Sequence, residues 1–447
     1  MAGRFLAEAL GGTLARLWPT IDAFGPLADI ILQAAAVAAN SAGLPLAASD
    51  QWAPPYDSVI VLGQAGAQDV GPVVRIGADG WMVYFGAAAR LVNFPNTIGP
   101  AAGAAIAAAE VFKQVFATQL VSHDVTPLGD GQWNLWTLGT GDELPREQSI
   151  ILPRTHVFGC GAVTHGLLLV LERWPVHVAS TVLLIDHDAY DQGNGQRYPG
   201  MQPDDVFKPK VEALAERLRV AHPELVAHPY QRGMNHYFDE YEPMPSVEFA
   251  IVGLDSAESR RHAALKLPRR SINMWTENHH LGSSRHGIGD GWPCLFCSYP
   301  EKISDQRDEV AIVSSQTGLP PNRVRDLFDN GGDLTEKDVT VIGPRLGRKV
   351  NDLVHMPLRT VLQQMCATGH IKLPGATENS DVPFAFSSLL AGVIGFRNVI
   401  RELWCPSDSP TRWTYDVLHR PTDALVQSVA ARSGCFLCGT GNLGANS

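Results

Sequence analysis

Residues 156 to 210 gather the side chains whose types and spacing could do chemistry. His156-Val-Phe-Gly-Cys-Gly161 runs from an apolar strand into a glycine turn, and a helix follows. Thr181-Val-Leu-Leu-Ile-Asp186-His-Asp188 is a second strand with an acidic tip. Asn194, Arg197, Lys208 and Lys210 come next, in a polar loop. A glycine turn ahead of a helix lets backbone N–H groups approach a phosphate. An acidic tip 25 residues beyond Gly161 can accept ribose hydroxyls. Those two parts suit any dinucleotide. The amide and cations suit a triphosphate, whose oxygens need several donors and whose Mg²⁺ needs carboxylates. A further apolar strand, Val247 to Gly253, leads to Asp255. Strand C-termini share one edge in a doubly wound sheet, so Asp255 is expected beside Asp186 and Asp188. The set reads as a site for ATP with Mg²⁺.

Two cysteine pairs carry a different chemistry. Cys294-Leu-Phe-Cys297 and Cys435-Phe-Leu-Cys438 each place two thiolates within reach of one tetrahedral ion. Four protein ligands close the site, so a structural Zn²⁺ is expected, clasping the C-terminal tail across 137 intervening residues. Cys160 sits between the turn glycines and should point into packing. Cys405 follows a helix and should lie near the surface. His279, His280 and His286 read as a polar loop, since no spaced cysteine or carboxylate completes a metal site.

The order Gly-x-Gly, Asp-x-Asp, Asn-x-x-Arg, Pro-Lys and apolar strand to Asp resembles the ubiquitin-activating enzyme superfamily. That superfamily includes the sulfur-carrier adenylyltransferases of thiamine and molybdopterin synthesis. The likeness spans roughly residues 150 to 440, and the paired cysteine knuckles match it too. It implies an α/β, Rossmann-like adenylation domain with a mainly parallel sheet, acting on the C-terminal glycine of a ubiquitin-like protein. Asp186 would bind ribose, and Asp255 with Asp188 would hold Mg²⁺. Asn194, Arg197 and Lys210 would neutralise the phosphates, with Arg197 and Lys210 catalytic, while Gly159 and Gly161 shape the turn. Lys208 reads as solvated. In thioester-forming relatives the nucleophile lies upstream of the last core helix. Here that places it at Cys366, in Val361-Leu-Gln-Gln-Met-Cys366, four residues before His370. A thiolate there would take the acyl group from AMP and pass it to a conjugating enzyme. Two departures stand out. Thr164 replaces the third turn glycine, and Asn194-Gly-Gln-Arg197 replaces Asn-Leu-Asn-Arg. Neither removes a charged group. Bacterial relatives with an extra degenerate half sit in ubiquitin-like conjugation systems, some linked to antiviral defence, and the resemblance extends that setting here.

The elements that must position these groups divide the chain in three. Residues 1–148 read as a degenerate, inactive adenylation-like half. Residues 149–300 and 380–447 read as the ATP-binding domain with its zinc knot. Residues 301–379 read as a helical insertion and crossover carrying Cys366, with Thr335 capping one helix. Asn96 to Phe112 and Phe386 to Phe396 resemble the same final core helix, which implies an internal pseudo-dimer and leaves a homodimer open. Residues 119–148 look like a linker with hairpin-like pieces. Arg16 is placed to reach the other half's ATP by position alone, and reads as a solvated helix arginine.

Composition bounds the rest. The 447 residues are 45% hydrophobic and 18% charged, as in a globular protein. A net charge of −11 argues against nucleic-acid binding, which wants a basic face. No signal peptide or membrane span stands out, and paired Cys-x-x-Cys motifs suit a reducing compartment, so the cytoplasm is expected. The nearest rival is a sulfur-carrier adenylyltransferase that uses no conjugating enzyme. A nicotinamide-dependent oxidoreductase is the rival from another class, and a non-enzymatic scaffold half is a third.

Overall fold

The computed structural model describes residues 2–438, excluding 65–70, 301–309, 347–352, 362–368, 371–380 and shorter pieces of one to three residues. The chain opens with α1 (Ala2–Leu14), β1 (Thr20–Asp22), α2 (Ala28–Ala42) and β2 (Ala47–Ser49). A four-stranded sheet follows, in the order β3 (Val59–Leu62), β4 (Val73–Asp79), β5 (Met82–Phe85) and β6 (Gly131–Asn134). Between β5 and β6 runs α3 (Ile98–Val115), buried along nearly its whole length because alanine and glycine let its neighbours close in. Residues 119–148 are therefore more than a linker. They supply β6, whose Trp133 is fully buried.

The second sheet is built from β7 (Ile150–Ile151), β8 (Thr155–Phe158), β9 (Val178–Ile185), β10 (Leu225–Tyr230), β11 (Phe249–Val252), β12 (Arg270–Glu277), β13 (His280–Gly287) and, after a long excursion, two more strands. Helices α4 (Ala162–Glu172), α5 (Lys210–Ala221), α6 (Met234–Tyr241) and α7 (Ala257–Leu265) connect the parallel strands, and the short α8 (Leu295–Ser298) follows. The excursion holds α9 (Pro321–Asn330), α10 (Glu336–Leu346), β14 (Gly369–His370) and β15 (Asp381–Val382). The chain then returns through α11 (Ala385–Trp404) to β16 (Thr411–Asp416) and β17 (Leu425–Ser428). The strand order is β10-β9-β8-β11-β12-β13-β16-β17, with β7 beside β9. From β10 to β12 neighbours are parallel, and from β12 onward antiparallel. This is a mixed α/β, Rossmann-like sheet. Central β8 and β11 are buried at every residue, as apolar strands covered on both faces must be.

The two sheets echo each other. In the first, β3 pairs parallel with β4, β4 antiparallel with β5, then α3 leads to β6 on β5. In the second, β11 pairs parallel with β12, β12 antiparallel with β13, then α11 leads to β16 on β13. Helices α3 and α11 meet through aromatic rings, with Phe112 5.0 Å from Phe384 and 5.9 Å from Phe386. One hydrophobic core runs through both units. The excursion has its own small core, including Val324, Leu327, Leu334, Val339, Ile342 and Leu358. Thr335 and Asp338 cap α10 reciprocally: the Thr335 N–H and hydroxyl donate to Asp338 Oδ2, and the Asp338 N–H donates to Thr335 Oγ1.

Candidate adenylation site

The chain leaves β8 outward through β9 to β10, then returns to β11 on the other side of β8. That reversal opens a crevice beyond the strand ends, where open α/β sheets bind ligands. Gly159 ends β8 with φ +84°, a backbone that favours glycine. A Cβ there would also meet the carbonyl oxygen of Gly253, past β11, at 2.9 Å. Gly161 is the N-cap of α4. Thr164, in place of a third glycine, is buried, and its hydroxyl donates to the Gly159 carbonyl at 2.7 Å. The departure from the family pattern thus braces the turn.

Asp186, at the tip of β9, is bound into the same turn. Its Oδ2 accepts the Cys160 N–H at 2.6 Å and its Oδ1 the Asp188 N–H at 2.8 Å. The Cys160 side chain is buried in the core, and burial together with Asp186 pushes its thiol well up. Lys210 begins α5 and is buried, while Lys208 is exposed. The Lys210 ammonium donates to Asp188 Oδ2 at 2.7 Å and to the Tyr198 hydroxyl at 3.3 Å. Burial works against that cation, but Tyr198, Asp186 and Asp188 outweigh it and hold the ammonium above its usual range. Burial likewise pushes the Asp188 carboxyl up, and Lys210 and His187 bring it below its usual range.

The polar loop is a short 3₁₀ turn over Gln192–Gln196, closed by Asp191 and Asn194 as a reciprocal cap. Asn194 is buried, and Arg197 is half-buried, 5.8 Å from the Tyr198 ring. Asp255 is exposed, three residues past β11. The ligand atoms of Asp186, His187 and Asp188 lie within 4.8 Å of one another, and Asp255 is outside that group.

Arg16 differs from its expectation. It is buried, not solvated, in the turn after α1. Its Nε donates to the Gly195 carbonyl at 2.7 Å and a terminal nitrogen to the Tyr198 carbonyl at 3.1 Å. Burial lowers it to about 10, so it stays a cation at neutral pH. The first part of the chain thus holds the loop of the second. Its partners lie 179 and 182 residues away, beyond any local pattern. The sequence also gave no signal for Tyr198, or for buried His165, whose Nε2 meets the Tyr190 hydroxyl and whose ring packs on Tyr198. A cavity of about 310 Å³ lies behind this loop, bordered by Gly12, Arg16, Val37, Met201 and Leu389. Neither Asp186 nor Lys210 lines it, so it is not the crevice at the strand ends.

The four knuckle cysteines converge. Cys294 Sγ lies 3.8 Å from Cys297 and 3.6 Å from Cys435, and Cys297 lies 3.3 Å from Cys438. Zinc–sulfur bonds of about 2.3 Å set tetrahedral ligands ~3.8 Å apart, so the group fits such an ion. N–H groups of Cys294 and Arg432 point at two of the sulfurs, as around thiolates. Cys405 is half-buried after α11. Cys366 lies outside the described residues. The three histidines do not form a loop: His280 and His286 belong to β13, and His286 is fully buried. A carboxylate, Asp416, does stand beside His279 and His280. Among the described residues no helix is long and apolar enough to cross a membrane.

Comparison with known proteins bears on this geometry. Uncharacterized protein y4jF of Sinorhizobium fredii (strain NBRC 101917 / NGR234) is 28% identical over 382 residues, 81% of this chain and 71% of that one. Among solved structures, E. coli MccB is 14% identical with a TM-score of 0.41, covering 66% of this chain and 67% of its own. E. coli MccB with AMPCPP and MccA is 13% identical with a TM-score of 0.39, and this chain spans 66% of its length. The ThiF family model matches residues 146–316, from β7 through the cysteine knuckle into the excursion. Over those residues the chain carries a ThiF family domain, of the superfamily of adenylating enzymes that includes the ubiquitin-activating enzymes.

Proposed function

We propose that this chain activates the C-terminal carboxylate of a ubiquitin-like protein with ATP, holds it as a thioester on Cys366, and passes it to a conjugating enzyme. The observation that carries the reading is Lys210, buried and charged, locked to Asp188 beside the glycine turn that Asp186 closes. A nicotinamide cofactor has little use for that cation. A triphosphate has.

In this reading Asp186 takes the ribose hydroxyls and the N–H groups at the start of α4 face phosphate. The partner's carboxylate oxygen attacks the α-phosphorus. The bond to the bridging oxygen breaks and pyrophosphate leaves. Lys210, Arg197 and Asn194 face the charge that shifts, as preorganised electrostatic stabilisation. Mg²⁺, held by Asp188 and Asp255, would supply further charge neutralisation. Arg16 keeps the Asn194–Arg197 loop in place. The Cys366 thiolate then attacks the carbonyl carbon, a C–S bond forms and AMP departs with its oxygen. Cys294, Cys297, Cys435 and Cys438 would hold a structural Zn²⁺. The echo between the two sheets supports reading residues 1–148 as a degenerate adenylation-like half, and the separate core of the excursion supports a helical insertion.

ATP–pyrophosphate exchange with ubiquitin-like proteins encoded nearby tests the reading, with a non-reducing gel of wild type and Cys366→Ala. Exchange in both, with a reducible adduct only in wild type, is expected. Exchange without any adduct would favour sulfur-carrier activation instead. No exchange with any partner would overturn adenylation.

A further inference from the structure

A third set of ligand-type side chains lies at the turn between β12 and β13. Strand β12 continues four residues past its pairing with β11, so this hairpin projects beyond the parallel part of the sheet. His280 and Asp416 are direct neighbours across β13 and β16. His279 precedes them on the turn, and its carbonyl accepts the Val417 N–H at 3.0 Å. The backbone therefore fixes where all three side chains start.

Asp416 is itself oriented. Its Oδ1 accepts the Leu418 N–H at 2.9 Å, which leaves Oδ2 toward the two imidazoles. That oxygen lies 3.5 Å from His279 Nε2 and 3.7 Å from His280 Nε2. The ring centroids of His279 and His280 are 4.2 Å apart. Neighbouring ligands of a tetrahedral ion with bonds of about 2.0–2.1 Å stand ~3.3 Å apart. Both imidazole–carboxylate distances are therefore close to what such an ion needs.

An ion pair without metal explains the arrangement poorly. The separations are long for strong hydrogen bonds. His123 stands edge-on to His279, 5.9 Å between centroids, and the His419 N–H donates to the Asp416 carbonyl. Imidazole nitrogens offer lone pairs to an ion, and one carboxylate offers charge. Imidazole favours zinc, copper and nickel over hard cations.

We propose that His279, His280 and Asp416 form a solvent-accessible site for a divalent transition-metal ion, separate from the four cysteines. Bound there, the ion ties the hairpin tip to β16 and leaves at least one coordination position to water.

The test is calorimetric titration of Ni²⁺ into the full-length protein prepared with one equivalent of Zn²⁺ to occupy the four cysteines. One saturable equivalent is expected in wild type. Affinity should fall about tenfold or more in Asp416→Asn and further in the His279→Gln/His280→Gln double variant. Asp416→Asn keeps an acceptor for the Leu418 N–H, and far-UV circular dichroism verifies that each variant is folded. Co²⁺ at this site should show d–d bands without a thiolate charge-transfer band. No saturable binding in wild type, equal affinity in the variants, or a thiolate band for the added equivalent would overturn the proposal.

Discussion

Lys210 is tied twice to one residue: its backbone N–H donates to the Asp188 carbonyl and its ammonium to the Asp188 carboxylate. Such a cation is aimed before any substrate arrives, which is what makes an electrostatic contribution large. Lys210→Ala should slow exchange by about 10²–10³, with the fold kept, as a steady-state assay beside circular dichroism would show. Arg16→Lys keeps the charge but cannot donate to both Gly195 and Tyr198 carbonyls as a planar guanidinium does. It should raise the KM for ATP by about tenfold, the scale of one lost charged hydrogen bond, with a smaller effect on kcat. Equal loss in both parameters' ratio for a distant arginine such as Arg219 would contradict that assignment. The glycine turn, the acidic tip and the Pro-Lys pair were legible because each is a local pattern. Arg16 was not, because its burial is decided by a loop nearly two hundred residues away.

At the scale of elements, α10 depends on one carboxylate. Asp338 accepts two bonds from the Arg323 guanidinium, at 3.1 and 2.8 Å, and caps its own helix with Thr335. Arg323 is the main cause that holds it to about 2, against a usual 3.8. A depressed carboxyl stabilises the fold above its unfolded value and loses that contribution as pH falls through the folded one. Solvent around the half-exposed Arg323 screens the pair, so about 1 kcal/mol should vanish between roughly pH 4 and 2. Asp338→Asn should speed proteolysis within residues 310–361 at neutral pH and flatten the acid dependence there. In the main sheet, Glu402 on α11 receives Arg285 at 2.6 Å and Arg270 at 2.9 Å, and Glu402 and Arg285 are buried. Glu402→Gln takes the carboxylate from the buried Arg285 cation and should cost about 3–5 kcal/mol, read from the denaturant midpoint. The Thr335 cap was legible from the residues around it. The strand β6 was not, since four residues around Trp133 carry too little period to outweigh their glycine-rich setting. The carboxylate beside the histidine hairpin was not legible for a related reason: Asp416 comes from a strand on the far side of the excursion.

For the whole molecule, what matters is how firmly the two units act as one. Helices α3 and α11 share a core, and Arg397 of α11 donates to the Leu135 carbonyl at 3.0 Å and to that of Trp136. Burial lowers Arg397 to about 9, so it carries charge into the interface at neutral pH. The cysteine clasp is more local, joining the 294–297 knuckle to the tail. A zinc chelator, or Cys435→Ser, should raise hydrogen exchange around residues 292–299 and 425–438 while sparing β8 and β9. Small zinc modules gain on the order of 10 kcal/mol from their ion, and a domain with this core should lose far less. The parallel half of the sheet could be inferred from sequence, because apolar strands alternating with helices admit few arrangements. The echo between the sheets could not, since it lives in pairing direction and order, which no local pattern records.

Adenylation requires the partner's carboxylate to attack the α-phosphorus of ATP. Its most direct test is a partner protein with ¹⁸O in both oxygens of its C-terminal carboxylate, mixed with ATP and this enzyme. Mass spectrometry then follows the label. AMP carrying one ¹⁸O is expected, with unlabelled pyrophosphate, and no such AMP from Lys210→Ala on the same timescale. Label in inorganic phosphate, or AMP formed without label, would contradict it.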